Sequence, residues 1–326
     1  MPADARWEVL QAIEPTVEAQ LQVLRPAATA WQPTDYLPDF STDAWHDQLQ
    51  ALRHGASAVP DDLLVVLVGD MVTEEALPSY SMALNQLARD SEGTSPSPWA
   101  RWLRGWTAEE NRHGDLLNAY LRLSGRVDMR AVERTVQTLL SNGFDSGSRE
   151  PYDVLVYTSF QERATRVSHG NVGRLAEQAG DPVLARCCRV IAGDEARHES
   201  FYTRMMGHVL DLDPAGGILA VHAMLRTQIA MPGRYMGDTT DPDLFDRFAL
   251  VAQRLGVYTT ADYAAILDHL VRAWKIAERQ VSDHAARAQD EICRASERYA
   301  RLADRVAARL AKQPPVPFPW IHGRLA

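Results

Sequence analysis

Lysine is nearly missing from this chain: Lys275 and Lys312 are the only two among 34 basic residues. The rest of the positive charge is arginine, and that bias, with abundant alanine, points to a GC-rich bacterial genome. Cysteine is scarce as well. Cys187, Cys188 and Cys293 form no CxxC pair, which excludes a disulfide-stapled scaffold and argues against a thiolate-bound zinc or iron–sulfur site. Such cysteines suit a reducing compartment, so a cytoplasmic protein is expected. No apolar run approaches the ~20 residues that cross a bilayer. LLVVLVG at 63–69 stops well short. The amino terminus lacks both the basic, apolar pattern of a secretory signal and the Arg/Ser-rich character of a transit peptide. With a net charge of −9, neither a general nucleic-acid binder nor a membrane-inserted protein is expected. Strand-like alternation is almost absent, and so is any internal repeat.

What remains is helical. Hydrophobic residues make up 46% of the 326, enough for a globular core. Gly and Pro clusters at 91–98, 141–152, 178–182, 211–217 and 231–243 separate segments whose apolar residues recur at helical spacing. The expected architecture is all-α, a single domain over 1–326. Residues 1–40 are expected to be partly extended, with WQPTDYLPDF at 31–40 broken by proline. QPPVPFPW opens a non-helical, Pro-rich tail over 313–326, because each proline removes a donor and fixes φ.

Four segments within 61–210 share one peculiarity. Over 61–88 the 3-4 stripe reads Leu63, Leu67, Asp70, Glu74, Leu77, Ser81, Leu84. Over 98–123 it reads Trp99, Leu103, Trp106, Glu110, His113, Leu117, Tyr120. Over 153–178 it reads Leu155, Ser159, Glu162, Thr165, His169, and over 183–210 Leu184, Cys188, Ile191, Glu195, His198, Tyr202, Met205. Each core-facing stripe carries a carboxylate near its middle, and two add a histidine three residues later.

Carboxylates facing one core are costly unless something compensates their charge, and the stripes offer no Lys or Arg. Two metal ions can. One Glu from each of two helices, with Glu-x-x-His from each of two others, is the donor pattern of dinuclear carboxylate bundles. The spacing also chooses between neighbours: Glu74 over Glu75, Glu110 over Glu109, Glu195 over Asp194. The candidate ligands are Glu74, Glu110, His113, Glu162, Glu195 and His198. Glu109 and Asp194 precede the ligand glutamates at matching positions, and each is read as accepting the outer ring N–H of the opposite helix's histidine. Thr165 lies one turn after Glu162 and is assigned to the catalytic cavity. His169 is read as core or outer support, Trp99, Trp102 and Trp106 as core, and Arg163, Arg166 and Arg174 as a solvated face.

These motifs point to a family. LVGDMVTEEALPSY at 67–80, WTAEENRHGDLLNAYLRLSGRVDMR at 106–130, YTSFQERATRVSHGN at 157–171, DEARHE at 194–199 and FDRFALVAQRLGVYTTADYAAIL at 245–267 resemble the soluble acyl-acyl-carrier-protein desaturases of plant plastids and actinobacteria, the stearoyl-carrier 9-desaturase type. The resemblance runs from Pro15 to Trp320. It implies a ferritin-like four-helix bundle with additional helices, a homodimer and a diiron centre on the six ligands named above. It also implies insertion of a cis double bond into a saturated acyl chain with O2 and two electrons from a ferredoxin-type donor. Trp31, Asp194 and His113 match residues proposed to relay those electrons, and Thr165 matches the family threonine beside the oxygen-binding face.

The chain departs from the family around the substrate. Ala83, Gln86 and Val154 are the candidate acyl-tunnel residues. The amino-terminal basic stretch that would meet an acidic carrier is thin, leaving Arg25, with Arg197 as the second docking candidate. Three activities fit the donor set. The first is a desaturase of acyl carrier protein substrates, with acyl-coenzyme A as the alternative donor. The second is a diiron hydroxylase or N-oxygenase acting on a carrier-bound intermediate. The third is iron storage, which the apolar and aromatic stripes beside the ligands disfavour.

Overall fold

Proline decides where most of the long helices begin. The computed structural model describes residues 3–148, 150–227, 229–237, 241–310 and 313–326. Thirteen α-helices lie among them: α1 (Ala3–Ala12), α2 (Glu14–Gln20), α3 (Trp45–Ala58), α4 (Asp61–Glu74), α5 (Leu77–Ala88), α6 (Pro98–Ser124), α7 (Met129–Asn142), α8 (Pro151–Ala179), α9 (Pro182–Leu212), α10 (Pro214–Thr227), α11 (Leu244–Leu255), α12 (Thr260–Ala273) and α13 (Asp283–Leu310). α6, α8 and α9 each open on a proline, whose missing N–H would have had no partner there anyway. Ser97 caps α6 and Asp181 caps α9, and glycines with positive φ end α6 (Gly125) and α8 (Gly180).

α4–α5, α6, α8 and α9 pack on one another as a ferritin-like four-helix core, and the remaining helices wrap it. α8 and α9 run against each other along their length. A Cβ at Gly173 would come within 3.1 Å of the Cys188 Cβ, so glycine there permits the close approach. The apolar run at 63–69 is explained by α4's position. Leu64, Val65, Val66, Leu67 and Val68 are all fully buried, because neighbours surround α4 on every side.

One expectation needs correction and two gain detail. The segment 61–88 is two helices, not one. Pro78 has no N–H to give the Glu74 carbonyl four residues earlier, so α4 stops at Glu74 and α5 restarts at Leu77. The first 40 residues are more helical than expected, with α1, α2 and a 3₁₀ turn at Pro33–Asp35. The Pro-rich tail carries a 3₁₀ turn at Pro319–Ile321 and packs firmly. Trp320 is fully buried and donates Nε1–H to Thr135 Oγ1 at 2.9 Å. Of the long connection at 231–243, residues 238–240 lie outside the described residues, as does Arg149 of the connection at 141–152.

Candidate metal centre

The four stripes bring their polar members to one place inside the bundle. Glu74 comes from the end of α4, Glu110 and His113 from α6, Glu162 from α8, and Glu195 and His198 from α9. All six are at most 4% exposed. Their donor atoms fall into two sets, each within 4.8 Å: Glu74, Glu110, His113 and Glu195 in one, and Glu110, Glu162, Glu195 and His198 in the other. Glu110 and Glu195 belong to both sets, the placement of a carboxylate that bridges two cations.

Short distances here are not hydrogen bonds. His198 Nδ1 lies 2.7 Å from Glu110 Oε1 and His113 Nδ1 lies 3.1 Å from Glu195 Oε1. Yet Glu110 Oε1, His113 Nδ1, Glu195 Oε1 and His198 Nδ1 are all buried without a hydrogen-bond partner, and so is Glu162 Oε2. These atoms converge on common points instead of on one another. Electrostatics makes the same demand. Burial pushes Glu74 up to about 7 and Glu162 well above the usual carboxylate range. Glu110 resists the same burial and is held at about 2 by His113 and His198. No Lys or Arg reaches the four carboxylates, so the donor set fits two metal ions.

The outer face of each imidazole meets a carboxylate from the other helix. Glu109 Oε2 is 3.0 Å from His198 Nε2, and Asp194 Oδ2 is 3.6 Å from His113 Nε2. A carboxylate only accepts, so Glu109 favours the His198 tautomer whose Nδ1 lone pair faces inward. Asp194 makes no hydrogen bond to His113 and places a negative charge beside its outer nitrogen. Arg197 holds both carboxylates. Its Nη2 is 2.6 Å from Glu109 Oε2 and 2.6 Å from Asp194 Oδ1, and its Nη1 donates to the Val23 carbonyl at 2.6 Å. Burial opposes charge on Glu109 and Asp194, but His198 and Arg197 on one, His113 and Arg197 on the other, keep both below the usual range. Trp31 donates Nε1–H to Asp194 at 2.8 Å and lies nearly parallel to the His113 ring.

This geometry overturns the docking assignment of Arg197, whose guanidinium is spent on internal partners. Arg25 is half in and half out. Its backbone N–H donates to Glu109 at 2.5 Å, while its side chain is 48% exposed with Nε 3.7 Å from Asp194.

Thr165 donates to Glu195 Oε2 at 2.5 Å. It lines a cavity of about 410 Å³ that runs between α4, α8, α11, α12 and α13 and reaches Glu74. Its walls are mainly apolar, with Phe245, Phe248, Ala252, Tyr263 and Val306 among them. Ala83, Gln86 and Val154 do not line it. Ala83 and Gln86 sit on α5 and Val154 in the first turn of α8, whereas the cavity follows the middle of α8 towards α11.

One residue at the site carries more than the sequence assigns it, and another, His169, takes the outer supporting place read for it. Trp106, read as core, donates Nε1–H to Glu162 Oε1 at 3.0 Å. Its place on the stripe one turn before Glu110 is the available signal. His169 Nε2 is 2.8 Å from Glu74 Oε1, and it faces the cavity.

An all-α bundle with a buried dinuclear-type carboxylate–histidine centre defines the class of this protein. The chain belongs to the fatty acid desaturase family, whose model matches residues 5–322. It is an oxidoreductase of that family. It is 49% identical over 322 residues to stearoyl-[acyl-carrier-protein] 9-desaturase 5, chloroplastic, of Oryza sativa subsp. japonica, covering 97% of this chain and 83% of the relative. Identity to the stearoyl-[acyl-carrier-protein] 9-desaturase, chloroplastic, of Ricinus communis is also 49%, covering 97% and 81% of the two chains. The X-ray structure of DesA2 from Mycobacterium tuberculosis H37Rv shares the fold, with a TM-score of 0.57 at 22% identity, over 86% of this chain and 99% of that one. No helix among the described residues is long and apolar enough to cross a membrane.

Proposed function

We propose that this enzyme places a cis double bond in a saturated long-chain acyl group carried on acyl carrier protein, at the 9 position its relatives' names state. The observation that carries the reading is the apolar cavity ending on Glu74 and Thr165. Its mainly apolar wall suits an unactivated methylene chain. The balanced reaction takes a CH2–CH2 pair, O2, two electrons and two protons to CH=CH and two waters. Two iron ions, held by Glu74, Glu110, His113, Glu162, Glu195 and His198, would supply the activation of O2 that no side chain can.

The residues around that centre then have separate tasks. The apolar wall excludes water and fixes which methylene pair lies beside the ligands. Thr165 holds a proton at Oγ1 against Glu195. Glu109 keeps the His198 imidazole in one tautomer, Asp194 holds a negative charge beside His113, and Arg197 keeps both carboxylates charged. Trp31, hydrogen-bonded to Asp194, links that ring to the protein's outer layer, which supports a route for electrons from a ferredoxin-type donor. Arg25 belongs to the surface that would meet an acidic carrier. A homodimer and a cytoplasmic location complete the proposal; the free state of all three cysteines accords with the latter.

The test is product analysis by mass spectrometry on the iron-loaded enzyme, with reduced ferredoxin and a ladder of acyl-carrier-protein substrates. Loss of two hydrogens with the double bond at carbon 9 is expected. Gain of one oxygen would make the enzyme a hydroxylase, and iron uptake without product would make it a storage protein.

A further inference from the structure

A second cleft lies between α8, α9 and α12, and its charge runs against that of the whole molecule. It encloses about 530 Å³. Arg163, Arg166, Arg204, Lys275 and Arg279 line it, against only Glu199 and Asp211. In a chain of net charge −9, one cleft thus holds an excess of three positive charges. It also contains Lys275, one of the chain's two lysines.

The sequence reads Arg163 and Arg166 as a solvated face, but the cations here are organised. Glu199 is 5% exposed, and its two oxygens take Arg163 Nη1 at 2.5 Å and Arg166 Nη1 at 3.0 Å. His269 Nε2 adds a third contact at 3.3 Å. One carboxylate therefore aligns two guanidinium groups without neutralising them. Arg279 is fixed by Asp211 and the Leu210 carbonyl. The side chain of Arg204 makes no hydrogen bond or ion pair among the described residues, and neither does that of Lys275. Thr203 lines the same cleft, and its Oγ1 is buried with no hydrogen-bond partner. What points to a ligand is the pair of uncommitted cations, Arg204 and Lys275, beside the aligned Arg166; the Thr203 hydroxyl lies beneath the cleft floor. His269 reports the same local field. Burial first, and then Arg163, lower its proton affinity despite the nearby Glu199.

We infer that this cleft is a binding site for a phosphate-type oxyanion, bound by Arg166, Arg204 and Lys275. Forked guanidinium donors and an ammonium are the groups that recognise phosphate. The site is separate from the substrate cavity. Arg163 and Arg166 leave α8 on the side away from the cavity-lining Thr165 and Ser168. The inference does not depend on the proposed reaction, and the two can fail separately.

Titration calorimetry on the metal-loaded enzyme, in buffer free of phosphate and sulfate, tests it. Inorganic phosphate should bind saturably, one per chain. Arg204→Gln with Lys275→Asn should weaken it about tenfold or more, the worth of a charge-assisted hydrogen bond. Arg204→Gln alone gives the same direction if the double variant folds poorly. Sodium chloride at equal ionic strength should not compete stoichiometrically. A 4′-phosphopantetheine arm separates the two sources of such a group. Equal affinity assigns the site to free phosphate, and tighter binding to a phosphate carried on an organic arm. Absence of saturable binding, or binding that survives both substitutions, overturns the inference.

Discussion

Trp106 and Glu162 meet deep in the bundle, the indole N–H donating 3.0 Å to a carboxylate oxygen that has no other protein donor. The other oxygen of that carboxylate, Oε2, has no hydrogen-bond partner at all. The indole therefore orients the carboxylate so that its free oxygen faces the centre. Trp106→Phe keeps the aromatic packing against Tyr80 and Tyr202 but deletes the donor. It should lower stability by about 1–3 kcal/mol, the cost of an unsatisfied buried acceptor, and weaken metal retention. Calorimetric melting and metal analysis after dialysis check both. Unchanged metal content would reduce Trp106 to packing.

Glu110 and Glu195 should matter most for occupancy, since each belongs to both donor sets. Glu110→Ala or Glu195→Ala is expected to abolish turnover and empty the site. Glu75→Ala should leave both nearly intact, because Glu75 turns away to accept from Asn118 Nδ2 at 2.9 Å. Metal content equal in all three variants would contradict the assignment.

Much of this was legible because helical spacing and the cost of buried charge act together. Only one of each adjacent acid pair can lie on the stripe that meets the other helices' ligands, and that alone separates Glu110 from Glu109 and Glu195 from Asp194, although all four are buried. What spacing cannot give is the partner across helices. Arg197 sits between two ligands in sequence, with nothing local to say whether it reaches solvent or Val23. The break after Glu74 was visible in Pro78, but the stripe runs on across it, so the pattern hid it. The cavity was least legible. Beyond α4 and α8, its walls come from α11, α12 and α13, far along the chain, whereas Ala83, Gln86 and Val154 rested on family resemblance alone.

Thr165→Val should separate chemistry from assembly. Valine matches the shape, and Thr165 touches Glu195 through its hydroxyl without belonging to either donor set. Metal content should hold while turnover falls. A loss of metal equal to that of Glu195→Ala would place Thr165 in the ligand scaffold instead.

Asp70 offers a pH test away from the ligands. Burial pushes its carboxyl from 3.8 up to about 6, against the opposing influence of His169 and the Ser168 hydroxyl. Because the folded value is raised, its favourable contribution is whole below 3.8 and is lost as pH rises through about 6. Asp70→Asn keeps an acceptor for Ser168 and has nothing to titrate. The variant should gain stability relative to the parent across that interval, by up to about 3 kcal/mol, since each pH unit between the two values is worth about 1.4 kcal/mol. Melting curves of the metal-loaded proteins that stay parallel across the interval would show that Asp70 carries no such burden.

The carrier surface follows from charge. An acidic carrier and a chain of net charge −9 repel at long range, so productive docking needs local positive charge. Arg197 cannot provide it, having spent its guanidinium on Glu109, Asp194 and Val23. Arg25 can, because its link to Glu109 runs through the backbone N–H and would survive a side-chain change. Arg25→Ala should therefore raise KM for acyl-carrier-protein well above any change for an acyl-pantetheine fragment. The rise should shrink as salt screens the interaction. kcat on the fragment serves as the control for the metal centre, since Arg25 Nε also lies 3.7 Å from Asp194. If KM rises equally for both substrates, or ignores salt, the carrier meets another face and Arg25 only completes the ring of charge around Asp194.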